Sequence, residues 1–205
     1  IETQTGGGDI NVNQVSTGGR VTINSVGAVE EDSANLDGGA DIVANELVIN
    51  SATGIGVSDV LEIDVNTLAV NDTSSNGVYL IDTSGGLTIG TIGTTSGITT
   101  SDGEIYIETY SPLIINAPIN AGNANITLTA NNSDGYIEVN SSISNTGTFD
   151  ITLIANGVNS SGQSIIMDST NGLISAGQDA ILTANSADSG DIIVSSVTAG
   201  RNITI

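Results

Sequence analysis

Carboxylates are the only side chains in this sequence abundant enough to move protons or hold an ion. The chain carries 23 acidic residues against two basic ones, Arg20 and Arg201, and it has no His, Cys or Lys, for a formal charge of -21. Without His and Cys there is no serine or cysteine triad of the usual kind and no ordinary zinc site. Without Lys there is no P-loop and no Schiff-base chemistry. Glu62 and Asp64, two residues apart in "LEIDV", share one face of a strand, and a glycosidase needs two carboxylates ~5 to 9 Å apart. The plainer reading is an outward row of acids that keeps a strand solvated, and it is the one adopted here. An acidic, pectin-type substrate would be met by several cations, which Arg20 and Arg201 near opposite ends do not supply.

Carboxylate oxygens also suit calcium. Glu30, Glu31, Asp32, Asp37 and Asp41 fall within "GAVEEDSANLDGGAD", residues 27–41, which is expected to be a solvated acidic surface loop. "GGGD" at residues 6–9 matches a fragment of the calcium β-roll repeat, but it occurs once and out of register. The threonine-rich "TIGTTSGITTS" at 91–101 lacks the Thr-x-Thr recurrence in every coil that an ice-binding face needs. Asn71, Asn125, Asn131, Asn140, Asn159 and Asn202 open glycosylation sequons, as chance gives in a chain so rich in Asn, Ser and Thr. The expectation is no enzyme, no catalytic, cofactor-binding or metal residues, and at most weak calcium binding.

The elements that must position these acids are strands. Helix signals are nearly absent, and β-branched residues alternate with small polar ones at period two. A hydrophobic fraction of 38% and only two Pro argue against disorder. No apolar run approaches the ~20 residues of a membrane-spanning helix, and the acidic surface would repel nucleic acid. Self-similarity then organises the chain. "DGEIYIETYSPLIINAPINAGNANITLTAN" is followed by "DGYIEVNSSISNTGTFDITLIAN", by "SGQSIIMDSTNGLISAGQDAILTAN" and by "SGDIIVSSVTAGRNITI". The blocks open at Gly103, Gly135, Gly162 and Gly190 and close on Ile-Thr-Leu-Thr-Ala type strands.

Such a repeat is one coil of a parallel β-solenoid, with coils ~4.8 Å apart. Ile126, Leu128, Ile151, Leu153, Ile181 and Ile203 are expected to point inward and Thr127, Thr129, Thr152 and Thr183 outward, with Asn ladders at the corners. Roughly eight coils would make a rod on the order of 40 Å long. A tandem β-sandwich is the alternative, supported by Asn76-Gly77, Asn156-Gly157 and Asn171-Gly172 as hairpin signals. The scarcity of aromatic core anchors and the short repeat weigh against it.

This grammar, "GADIVANELVINSATGIGVSDVLEIDVNTLAVND" followed by the "ITLTA" blocks, resembles the shaft repeats of filamentous-haemagglutinin-like giant bacterial surface proteins, from about Gly7 to Ile205. The resemblance implies an all-β, right-handed parallel β-helix (β-solenoid), with 1–205 a single segment of a longer repetitive chain. It implies an extracellular or cell-surface adhesin or filament segment giving length and rigidity for adhesion, cell-cell contact or matrix. The partners implied are neighbouring coils of the same chain or identical subunits end to end, and host or neighbour-cell surface glycans, with no nucleic acid and no membrane insertion. Neither Pro112 nor Pro118 lies in the Asn-Pro-Asn context of the family's secretion domain, so the export route is open. The rival functions are a polysaccharide-acting β-helix enzyme and a calcium-dependent extracellular matrix protein.

Overall fold

The computed structural model describes residues 1–3, 8–32, 39–186 and 190–205. Among them there is no helix, and the strands stack in parallel as a β-solenoid of about 7 turns. The alternation seen in the sequence is the cause. In Ile126–Ala130 every second side chain is buried, and the in-register partner Ile151–Ala155 repeats the pattern. Each coil therefore presents the next with an apolar row in the same place.

Three parallel ladders wall the rod. The first runs through Val78–Asp82, Ile105–Thr109, Ile126–Ala130, Ile151–Ala155, Asp179–Ala184 and Asn202–Thr204. The second joins Leu87–Ile89, Leu113–Ile115, Ile137–Val139, Gln163–Met167 and Asp191–Ile193. The third joins Ile98–Thr99, Ile119–Asn120, Ser142–Ser144, Leu173–Ala176 and Ser196–Ala199. Toward the N-terminus the long strands Ile42–Ser51 and Leu61–Asp72 feed all three.

Inside, one apolar row extends through Ile10, Val29, Ile55, Val78, Ile105, Ile126, Ile151, Ala180 and Ile203. A second runs through Leu61, Leu80, Ile107, Leu128, Leu153 and Leu182. These rows are fully enclosed along most of their length, whereas Ile203 in the last coil is 49% exposed.

Several expectations are corrected. Ile181 points outward, because Ala180 takes the inward place opposite Ile151 and Ile181 stands beside Thr152. Gly103 is not equivalent to Gly135: it leads into the first ladder, whereas Gly135, Gly162 and Gly190 lead into the second. Coil length also varies, 21 residues from Ile105 to Ile126 but 29 from Ile151 to Ala180. The sandwich alternative falls, since the one antiparallel pair among the described residues is the local hairpin of Thr91–Ile92 with Thr95–Ser96. That hairpin also breaks up the threonine-rich stretch. Within 27–41, Val29–Glu31 is a buried strand paired with Ile10–Val12, not surface loop, and Asp41 is buried. Residues 33–38, Asp37 included, lie outside the described residues, as do Gly6 and Gly7 of "GGGD". Asp9 accepts the Ala28 N–H at 2.7 Å, a structural role.

The corner Asn ladders are present. Asn50 donates to Asn24, Asn66 to Asn45 and Asn140 to Asn116, at 2.8, 2.9 and 3.0 Å.

Candidate functional site

Coil register decides which acids meet. Asp41 precedes Ile42, and Ile42 pairs with Ile63, so Asp41 stands opposite Glu62. The two are locked reciprocally: the Asp41 N–H donates to the Glu62 carbonyl at 2.9 Å, and the Glu62 N–H donates to Asp41 Oδ2 at 3.3 Å. Glu31, at the end of its strand, brings in a third carboxylate. One oxygen from each of Glu31, Asp41 and Glu62 lies within 4.8 Å of the other two. Glu31 and Asp41 are buried, Glu62 is half-buried, and Glu62 Oε2 is enclosed with no hydrogen-bond partner among the described residues.

Desolvation, reinforced by the charges of Glu31 and Asp41, pushes the Glu62 carboxyl up to about 7. Three carboxylates this close can share a proton or supply the hard oxygen donors that calcium takes. A carboxyl titrating near neutrality also suits a general acid. A glycosidase, however, needs its second carboxylate open to the sugar, and Glu31 and Asp41 are 6% and 1% exposed.

The residues singled out in the sequence are thus regrouped. Glu62 joins Glu31 and Asp41, while Asp64, its expected partner, lies along the same strand outside the triad and adds its charge to that around Asp82. Glu30 turns to the Ser58 N–H, which it accepts at 3.0 Å, and burial raises its pKa. Asp32 anchors the chain through its backbone, donating N–H to the Val12 carbonyl at 2.7 Å.

Sequence reasoning missed Asp82. It occupies an inward position in the row Val15, Ile42, Ile63, Asp82, Thr109, Ala130 and Ala155 and is fully buried. Its Oδ2 accepts from the Thr109 and Ser111 hydroxyls at 3.0 and 3.3 Å, and its Oδ1 from the Val65 N–H at 3.3 Å. Burial still outweighs those donors and raises the carboxyl to about 6. The available signal was the strand parity of "VYLID", which puts Val78, Leu80 and Asp82 on one side.

The cations are both committed. Arg20 pairs with Glu46 of the following coil and Arg201 with Asp179 of the preceding one. No family model matches the chain, and neither a curated protein nor a solved structure does.

Proposed function

We propose that this chain is a structural segment of a large extracellular or cell-surface bacterial adhesin or filament, giving length and rigidity and working without turnover. The observation that supports this is the inner row from Ile10 to Ala180, which repeats one coil-to-coil interface along the rod. An interface that repeats in this way suits stacking on a further coil of the same kind, from the same chain or from an identical subunit end to end.

A polysaccharide-acting enzyme is less well supported, because the two carboxylates beside Glu62 are enclosed. A calcium-dependent matrix protein would rest on the acidic triad alone, and a proton on Glu62 relieves the same repulsion. Immunogold labelling of cells that express the protein tests the reading. Label on the outer surface or on released fibres is expected, and label confined to the cell interior overturns it. Melting in excess calcium and in chelator separates the matrix alternative, which requires a clear upward shift with the ion.

A further inference from the structure

Aromatic side chains are scarce here, four Tyr and one Phe in 205 residues, yet three of the tyrosines share one wall of the rod. Tyr79 and Tyr106 are in-register partners on adjacent coils of the first ladder. Tyr110 follows just after the Ile105–Thr109 strand and is 44% exposed. Their hydroxyls are held in place: Tyr106 donates to Glu108 at 2.6 Å and Tyr79 to Glu104 at 3.3 Å. Rings fixed in advance lose little freedom when a ligand arrives.

Beside Tyr110 the wall opens into a groove of about 410 Å³ lined by Glu62, Ile81, Thr83 and Tyr110. Register makes it. Ile81 stands between Glu62 and Glu108 on neighbouring coils, so an aliphatic side chain is set between two acids. The Tyr110 N–H donates to the Asp82 carbonyl at 3.1 Å, which seats Tyr110 alongside Thr83.

An aromatic wall at Tyr110, an aliphatic floor at Ile81 and polar side chains at Thr83 and Glu62 complement a pyranose ring. The C–H face of the sugar lies on the tyrosine and the aliphatic floor, and its hydroxyls bond to the Thr83 hydroxyl and the Glu62 carboxyl. Charge narrows the class. Glu104 and Glu108, which hold the tyrosine hydroxyls on this wall, repel acidic sugars, and both arginines are engaged with Glu46 and Asp179.

We propose that the groove between Glu62 and Tyr110, extended by the Tyr79 and Tyr106 pair, binds a neutral oligosaccharide along the rod. This goes beyond the structural role and stands or falls separately from it.

The test is a titration of the 205-residue protein with cellohexaose and maltohexaose, followed by tyrosine fluorescence, which no Trp obscures, and by calorimetry. Saturable binding to at least one hexamer is expected, weakened about tenfold or more in Tyr110→Ala and kept within about threefold in Tyr110→Phe. Thr83→Arg, which fills the groove from the solvent side, should abolish it with the fold intact by circular dichroism. Absence of saturable binding to both hexamers overturns the proposal. So does unchanged affinity in Tyr110→Ala and Thr83→Arg, or tighter binding of hexagalacturonate or tetramethylammonium than of either neutral hexamer.

Discussion

Asn156 donates its side-chain N–H to Asn131 Oδ1, one coil away, at 2.6 Å. Asn131 donates in turn to the Glu108 carboxylate, and Asn185 donates to Asn156 at 3.1 Å, so three amides run in series into one negative charge. Aligned hydrogen bonds of this kind polarise one another. Asn156→Asp at pH 7 replaces the donor with an acceptor facing Asn131 Oδ1, and a loss of about 1–3 kcal/mol in urea unfolding is expected. Protonating the new carboxyl restores a donor, so the deficit relative to the native chain should shrink in acid.

The inner rows differ in value along the rod. Leu153 is fully enclosed between Leu128 and Leu182, and Leu153→Ala should cost about 2–5 kcal/mol through lost burial and the cavity left behind. Ile203, at the exposed last coil, should cost less than about 1 kcal/mol on the same truncation. Denaturant midpoints of the two variants check the gradient.

Acid should stabilise this protein over a defined range. Asp82 is raised from 3.8 to about 6 and Glu62 from 4.5 to about 7. In each case the folded form binds a proton that the unfolded chain has released, so the contribution is fully present below the ordinary pKa. It is lost as pH rises through the folded value. Melting temperature is therefore expected to fall between about pH 4 and pH 8, and for Asp82 the effect is on the order of 3 kcal/mol. Asp82→Asn and Glu62→Gln should each flatten that slope and raise the melting temperature at pH 8 by a few degrees, roughly.

Gly97 has φ of +71° and its Cα faces the Pro118 backbone so closely that a Cβ would run into the Pro118 carbonyl oxygen. Gly97→Ala should therefore cost more than about 2 kcal/mol, since neither backbone can give way without breaking the coil contact. Gly162 has a similar φ of +77° with open space around it, and Gly162→Ala should cost only about 1 kcal/mol. Thermal unfolding of the pair separates steric from conformational cost.

Strand alternation made the fold legible. Ile126, Leu128, Ile151 and Leu153 are inward and Thr127, Thr129 and Thr152 outward, as their parity dictates. Register between coils was not legible, because loops of unequal length shift it without altering parity. In "DAILTA" Leu182 and Ala184 fall opposite Leu153 and Ala155, but Ala stands where the preceding coil has Ile151 and Ile where it has Thr152, which is why Ala180 and not Ile181 lies inside. The carboxylate triad was hidden for the same reason. Glu31, Asp41 and Glu62 are far apart in the chain, and nothing local marks that Asp41 falls opposite Glu62 until Ile42 is known to pair with Ile63. The groove at Ile81 depends on the same coil-by-coil alignment.

The corner amides also give the rod a direction. Asn50, Asn66, Asn140, Asn156 and Asn185 all donate toward the N-terminal coil. Within each series the amide N–H thus faces the N-terminal coil and the amide oxygen the C-terminal one. The rod is therefore polar along its axis: a coil turned end for end would set oxygen against oxygen, so the two directions along the chain are chemically distinct.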